Sequence, residues 1–165
     1  MQKHPYSVLT SKQVKGRLIF TPCPGTKDTS VAEALDTLKE ADACALLTLM
    51  PTEELTLNEV ENLERQCQQR SIEWFHLPVE DGHAPGEPFQ AAWSANRERI
   101  KQLLTEGKSI AIHCKGGSGR TGLVAAQLLI ECGVPFSDAV SGVQALRPSA
   151  IQHPVHINYI SQFGR

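Results

Sequence analysis

The sequence contains no apolar run near the ~20 residues a bilayer crossing needs, so no membrane insertion is expected. Met1-Gln-Lys-His-Pro-Tyr6 is not followed by a signal-type apolar region, and the simplest expectation is a cytoplasmic protein. No C-x-x-C pair occurs and the cysteine count of five is odd, which argues against structural zinc and against a disulfide framework. Neither sign of charge dominates: 16 basic and 18 acidic side chains leave a formal net charge of -2. A polyanion-binding surface, and with it nucleic acid as a partner, is therefore not expected. There is no internal repeat and no low-complexity tract.

What is present is the length and composition of one α/β domain. The expectation is a single unit over 1–165, in which 1–16 is a polar, peripheral N-terminal segment. Arg17-Leu-Ile-Phe20 reads as a short strand closed by the Pro22-Cys-Pro-Gly25 turn. Ser30 with Glu33 three residues on is a capping box opening a helix to about Ala41. Ala43-Cys-Ala-Leu-Leu-Thr-Leu49 is a buried parallel strand by length and composition. Thr56 resembles the N-cap of a helix through Arg70. Glu73 to Leu77 is the next strand, and Asp81-Gly-His-Ala-Pro-Gly-Glu-Pro88 is a loop.

Phe89 to Glu106 has helical phase, Ser109 to His113 is a central strand, and Arg120 to Glu131 is helix. Two further helices are expected, one from Phe136 or Ser137 to Leu146 and one from His153 to Phe163. Strands alternating with helices predict an α/β fold with a mostly parallel sheet covered on both faces. Ligands of such sheets bind beyond the carboxyl ends of the strands.

That is where Ile110-Ala-Ile-His-Cys-Lys-Gly-Gly-Ser-Gly-Arg-Thr-Gly122 places its loop. Cys114 and Arg120 bracket Lys115, Gly116, Gly117, Ser118 and Gly119. Glycines let backbone N–H groups turn toward an anion, and the following helix adds its positive end. The same field favours a thiolate on Cys114. Arg120 offers a planar fork to two phosphoryl oxygens. Thr121 is placed to donate its hydroxyl to the sulfur, and His113 to orient the loop.

Gly117-Ser-Gly119-Arg-Thr-Gly122 also matches the dinucleotide-binding glycine pattern. It falls too late in the chain, with no acidic residue ending a following strand. Leu123 stands where a nucleotide-kinase loop needs lysine. The other four cysteines, Cys23, Cys44, Cys67 and Cys132, read as structural.

His113-Cys114-x5-Arg120-Thr121 is the signature of the cysteine-dependent protein phosphatases. Leu77-Pro-Val-Glu-Asp-Gly-His-Ala-Pro85, the Asp81–Cys114 spacing, Leu146-Arg-Pro-Ser-Ala-Ile-Gln152 and Asn158-Tyr159 resemble the dual-specificity members, and among them the kinase-associated phosphatase group. The resemblance runs from about residue 17 to the C-terminus. It implies a dual-specificity-phosphatase-like fold and hydrolysis of phosphate monoesters through a cysteinyl-phosphate. Cys114 would be the nucleophile, Arg120 and the 115–119 loop the phosphate clamp, and Asp81 the general acid, with Glu80 and His83 as local rivals. Gln152 resembles a glutamine that helps place the hydrolytic water, and could equally be a cap or surface residue. Lys115 adds positive potential beside the pocket.

The resemblance implies no metal and no cofactor. Expected partners are a phosphorylated protein or a small phosphomonoester, with a monomer favoured. The alternatives are a phosphoinositide or nucleotide phosphatase and a non-catalytic phosphoprotein-binding module. Sulfur transfer or arsenate reduction lacks a clearly paired resolving cysteine.

Overall fold

Strand side chains alternate between the two faces of a sheet, and here both faces are apolar. The computed structural model describes residues 3–164. Strands β1 (Ser7–Ser11), β2 (Val14–Thr21), β3 (Ala43–Thr48), β4 (Glu73–His76) and β5 (Ser109–His113) form one sheet in the order β1-β2-β5-β3-β4. β1 runs antiparallel to β2, and the other pairings are parallel. Every residue of the central β5 is buried, and its three middle residues, Ile110, Ala111 and Ile112, are all apolar.

Leu18, Phe20, Ala45, Leu47, Ile110 and Ile112 belong to one core cluster. It is completed by α4 (Glu87–Thr105), α5 (Gly119–Glu131), α6 (Phe136–Leu146) and α7 (Pro154–Ser161). Ile19, Leu46 and Ala111, one residue out of phase, pack instead with α1 (Val31–Glu40), α2 (Thr52–Leu57) and α3 (Leu63–Gln69). The Ser30–Glu33 capping box closes both ways, Ser30 Oγ accepting from the Glu33 N–H and the Glu33 carboxylate from the Ser30 N–H. Such a cap contributes about 1 kcal/mol.

Three expectations need correction. The segment before residue 17 is not peripheral: it supplies β1 and the first three residues of β2. Leu9 and Val14 are buried, and so is His4, whose Nε2 lies 2.5 Å from Thr21 Oγ1. Residues 1 and 2 of that segment, and 165 at the other end, lie outside the described residues. The single helix expected from Thr56 to Arg70 is two helices. Pro51 stands at the N-cap of α2, Thr56 falls in its last turn, and Asn58 Nδ2 donates to the Glu54 carbonyl at 2.8 Å. Glu59 then turns left-handed (φ 58°), which breaks the helical path before α3. Finally, α4 starts two residues before Phe89, with Gly86 as its N-cap. Among the described residues no helix is long and apolar enough to cross a membrane.

Candidate active site

β5 delivers Cys114 to the carboxyl edge of the sheet, where it is 4% exposed. Two donors meet its sulfur: the Gly117 N–H at 3.3 Å and Thr121 Oγ1 at 3.2 Å. Gly117 is left-handed (φ 79°), and a Cβ there would lie 2.6 Å from the Thr21 carbonyl carbon. Glycine is thus required on both conformational and steric grounds. Gly116, by contrast, faces open space.

The loop is tied down from outside. The Cys23 N–H donates to the Lys115 carbonyl at 3.1 Å, and Arg147 Nε to the Gly117 carbonyl at 3.1 Å. Arg147 also reaches Ser7 Oγ at 3.0 Å, so β1 and the end of α6 brace the loop together. α5 begins at Gly119 behind Ser118, whose side chain makes no capping bond. A helix N-terminus without a side-chain acceptor leaves N–H groups for an anion. Lys115 Nζ turns to Asn58 Oδ1 at the end of α2.

Arg120 is 3% exposed and fully engaged on one edge. Its Nη1 and Nη2 each donate to one Glu54 carboxylate oxygen at 2.8 Å, and Nη1 also to the Val79 carbonyl at 3.0 Å. No described hydrogen bond uses Nε. The Nε–Nη2 edge therefore remains for a bidentate oxyanion. Burial disfavours the charged guanidinium, but hydrogen bonding to Glu54 and the charges of Cys114, Glu54 and Asp81 outweigh it and raise the pKa.

His113 is buried and lies outside the cradle. Its Nδ1 is 3.0 Å from the Cys114 carbonyl, which can only accept, so Nδ1 carries the proton. Nε2 then accepts from Thr48 Oγ1 at 2.8 Å, and Thr48 Oγ1 in turn accepts from Trp74 Nε1 at 2.7 Å. Burial pushes the imidazole pKa down to about 4, so it stays neutral. Burial pushes the Cys23 thiol up to about 12, which leaves it protonated and unreactive.

Asp81 lies on the loop after β4, its side chain 83% exposed and its Oδ1 3.7 Å from Arg120 Nη2. Its rivals are arranged around it. Glu80 is exposed and makes no described side-chain bond, while His83 Nδ1 donates to the Asp81 carbonyl at 3.0 Å. Gln152 is exposed and its amide donates to the Pro148 carbonyl at 3.2 Å. The structure thus brings together Cys114, Arg120, Thr121, Asp81 and the 115–119 loop, with His113 behind them, while Gln152 makes no described bond to any of them. Reading the sequence missed Glu54, Arg147 and His156. Glu54 sits in an acidic first turn, a generic helix feature, and nothing local connects it to Arg120. Among the described residues no group of three or more His, Cys, Asp or Glu is placed to hold a metal.

Cys114 and Arg120 thus stand at the two ends of one short loop, with the Asp81 carboxylate 3.7 Å from the guanidinium. The family model described as "Polymorphic toxin system, DSP-PTPase phosphatase" matches residues 23–134, and the chain belongs to that family of dual-specificity and tyrosine phosphatases.

Human cyclin-dependent kinase inhibitor 3 is 36% identical over 113 residues, covering 67% of this chain and 52% of that protein. Mouse protein tyrosine phosphatase type IVA 2 is 32% identical over 108 residues, covering 60% and 64%. The chain thus spans about half the length of the first of these relatives. Among solved structures, kinase associated phosphatase with its catalytic-site cysteine replaced by serine superposes with a TM-score of 0.86 at 28% identity, covering 99% of this chain and 95% of that one. The active form of Tk-PTP gives 0.65 at 26%, covering 94% and 98%.

Proposed function

We propose that this chain hydrolyses phosphate monoesters on proteins through a cysteinyl-phosphate on Cys114. The observation that carries the reading is the convergence of Gly117 N–H and Thr121 Oγ1 on the Cys114 sulfur, with the free edge of Arg120 beside it. In the first step the Cys114 thiolate attacks phosphorus. The S–P bond forms, the P–O bond to the leaving group breaks, and Asp81 protonates the departing oxygen. The backbone loop (Lys115, Gly116, Gly117, Ser118 and Gly119) and Arg120 hold the three equatorial oxygens where charge spreads. In the second step water attacks phosphorus, Asp81 takes its proton, and the S–P bond breaks. Thr121 Oγ1 then stabilises the returning thiolate.

His113 acts through the Cys114 carbonyl as an orienting group and transfers no proton in the cycle. Gln152 keeps its water-placing role only if its side chain leaves Pro148. A protein substrate fits the rim better than a polyphosphorylated lipid or nucleotide. The open cavity of ≈ 550 Å³ next to the cradle is lined by Glu53, Glu54, Glu80 and Asp81 along with Pro51 and Leu57. Carboxylates there repel extra phosphates but tolerate a polypeptide. One catalytic unit over the whole chain, acting as a monomer in the cytoplasm, completes the proposal.

The test is turnover of an aryl phosphate in the presence of chelator, followed on a panel of phosphotyrosine, phosphothreonine, phosphoinositide and nucleotide substrates. Turnover that disappears in Cys114→Ser and is highest on phosphopeptides is the expected result. Phosphopeptide binding without product release would point instead to a binding module.

A further inference from the structure

Asp81 is held by little of its own. Its side chain is mostly solvent-exposed and its one described partner is Arg120 at 3.7 Å. The carboxylate therefore goes where its backbone goes. Upstream, that backbone is anchored: the Val79 N–H donates to the Leu49 carbonyl at 2.8 Å and the Val79 carbonyl accepts from Arg120. Immediately downstream, Gly82 is left-handed (φ 78°) inside a turn closed by the His83 N–H donating to the Glu80 carbonyl at 3.1 Å.

The anchor on the far side of that turn is His156. The His83 carbonyl can only accept, so His156 Nε2–H donates to it, at 3.0 Å. His83 passes the restraint back, its ring Nδ1–H donating to the Asp81 carbonyl at 3.0 Å. The His156 ring also faces the cradle: a Cβ added to Gly119 would lie 4.0 Å from its Cε1. One imidazole thus stands between the acid loop, to which it is hydrogen-bonded, and the N-terminus of α5.

The support beneath it is rigid. One turn along α7, Tyr159 donates to Gln127 Oε1 on α5 at 2.7 Å and accepts from Gln90 Nε2 on α4 at 3.0 Å. His156, Tyr159 and Ile160 are the buried residues of the helix. Burial lowers the His156 pKa against the opposing hydrogen bond to His83, with His153 and Arg120 lowering it and Asp81 raising it. A proton on Nε2 is what the geometry uses.

We infer that His156 is a positioning residue for the acid. By holding the His83 carbonyl from a fixed helix, it keeps the Asp81 loop over the phosphate cradle. This rests on the proposed phosphatase reading and on Asp81 as its acid. His156 touches no reacting atom, so its effect must appear only where Asp81 matters.

The experiment compares kcat/KM for phenyl phosphate, whose leaving group needs a proton, with dinitrophenyl phosphate, whose leaving group does not. Asp81→Asn should lower the phenyl value about a hundredfold or more, the usual scale of general acid catalysis, and hardly change the other. His156→Leu should show the same selectivity, with about a tenfold loss on phenyl phosphate alone. His156→Gln, which keeps an N–H donor of similar reach, should restore most of it. In the Asp81→Asn background His156→Leu should have no further effect, because the two changes act through one group.

Equal losses on both substrates, or an undiminished loss in the Asp81→Asn background, would overturn the inference and make His156 merely structural. His156→Asn, polar but too short to reach His83, replaces the leucine variant if that one does not fold. A wild-type chain that turns over neither ester would instead defeat the phosphatase reading itself.

Discussion

Glu54 grips Arg120 end-on, one carboxylate oxygen to each terminal nitrogen at 2.8 Å. The pair joins α2 to the first turn of α5 across 66 residues of sequence. It also decides which face of the guanidinium meets substrate, because the engaged edge cannot bind phosphate. Glu54→Gln keeps the shape but removes one acceptor and the charge. The expected result is a loss of about tenfold to a hundredfold in kcat/KM, the scale of one or two charge-assisted hydrogen bonds. Steady-state kinetics on a phosphotyrosine peptide checks it, and an unchanged value would separate Glu54 from the clamp.

Thr121 should matter most in the second step. Its hydroxyl is 3.2 Å from the Cys114 sulfur and supports the thiolate as it departs from phosphorus. Thr121→Val is expected to slow dephosphorylation about tenfold, as for one hydrogen bond to a charged group. Stopped-flow measurement should then show a burst of phenol equal to the enzyme concentration, followed by slow turnover.

The two middle glycines of the loop should behave differently. A Cβ at Gly117 would strike the Thr21 backbone at 2.6 Å, whereas one at Gly116 meets nothing within 4 Å. Gly117→Ala should abolish vanadate binding and lower the thermal midpoint. Gly116→Ala should keep the fold and most of the binding. Isothermal titration with vanadate on both variants is the check.

His113 gives the fold an acid-sensitive component. Its pKa is pushed down from 6.5 to about 4 by burial, so the unfolded chain takes up this proton first as the pH falls. The stabilisation is complete above about pH 6.5, declines by about 1.4 kcal/mol per pH unit below it, and levels off below about pH 4. Urea unfolding at pH 7 and pH 5 should show a loss about 2 kcal/mol larger for the wild type than for His113→Gln. His4 and His156, also lowered by burial, add to the slope in both proteins.

The parts legible in the sequence were those with local signatures. The apolar centre of β5, the Ser30–Glu33 box and the Cys-x5-Arg loop each carry their physics within a few residues. The edge hairpin was illegible because β1 mixes exposed Tyr6 and Val8 nearby with a single buried Leu9, which resembles a polar tail. Asn58 and Glu59 hid the break between α2 and α3, since neither is a glycine or proline. The supporting side chains of the site were invisible for another reason. Glu54 with Arg120, Arg147 with Gly117, and His156 with His83 are each paired across 30 residues or more. Only the folded chain brings such partners together.

The covalent intermediate tests the account most directly. Acid-quenching the wild-type protein within its first turnover of an aryl phosphate, then mapping its peptides by mass spectrometry, should place one phosphoryl group on Cys114 and none on Cys114→Ser. Continued turnover with no phosphoryl adduct on Cys114, or with the adduct on another residue, would contradict it.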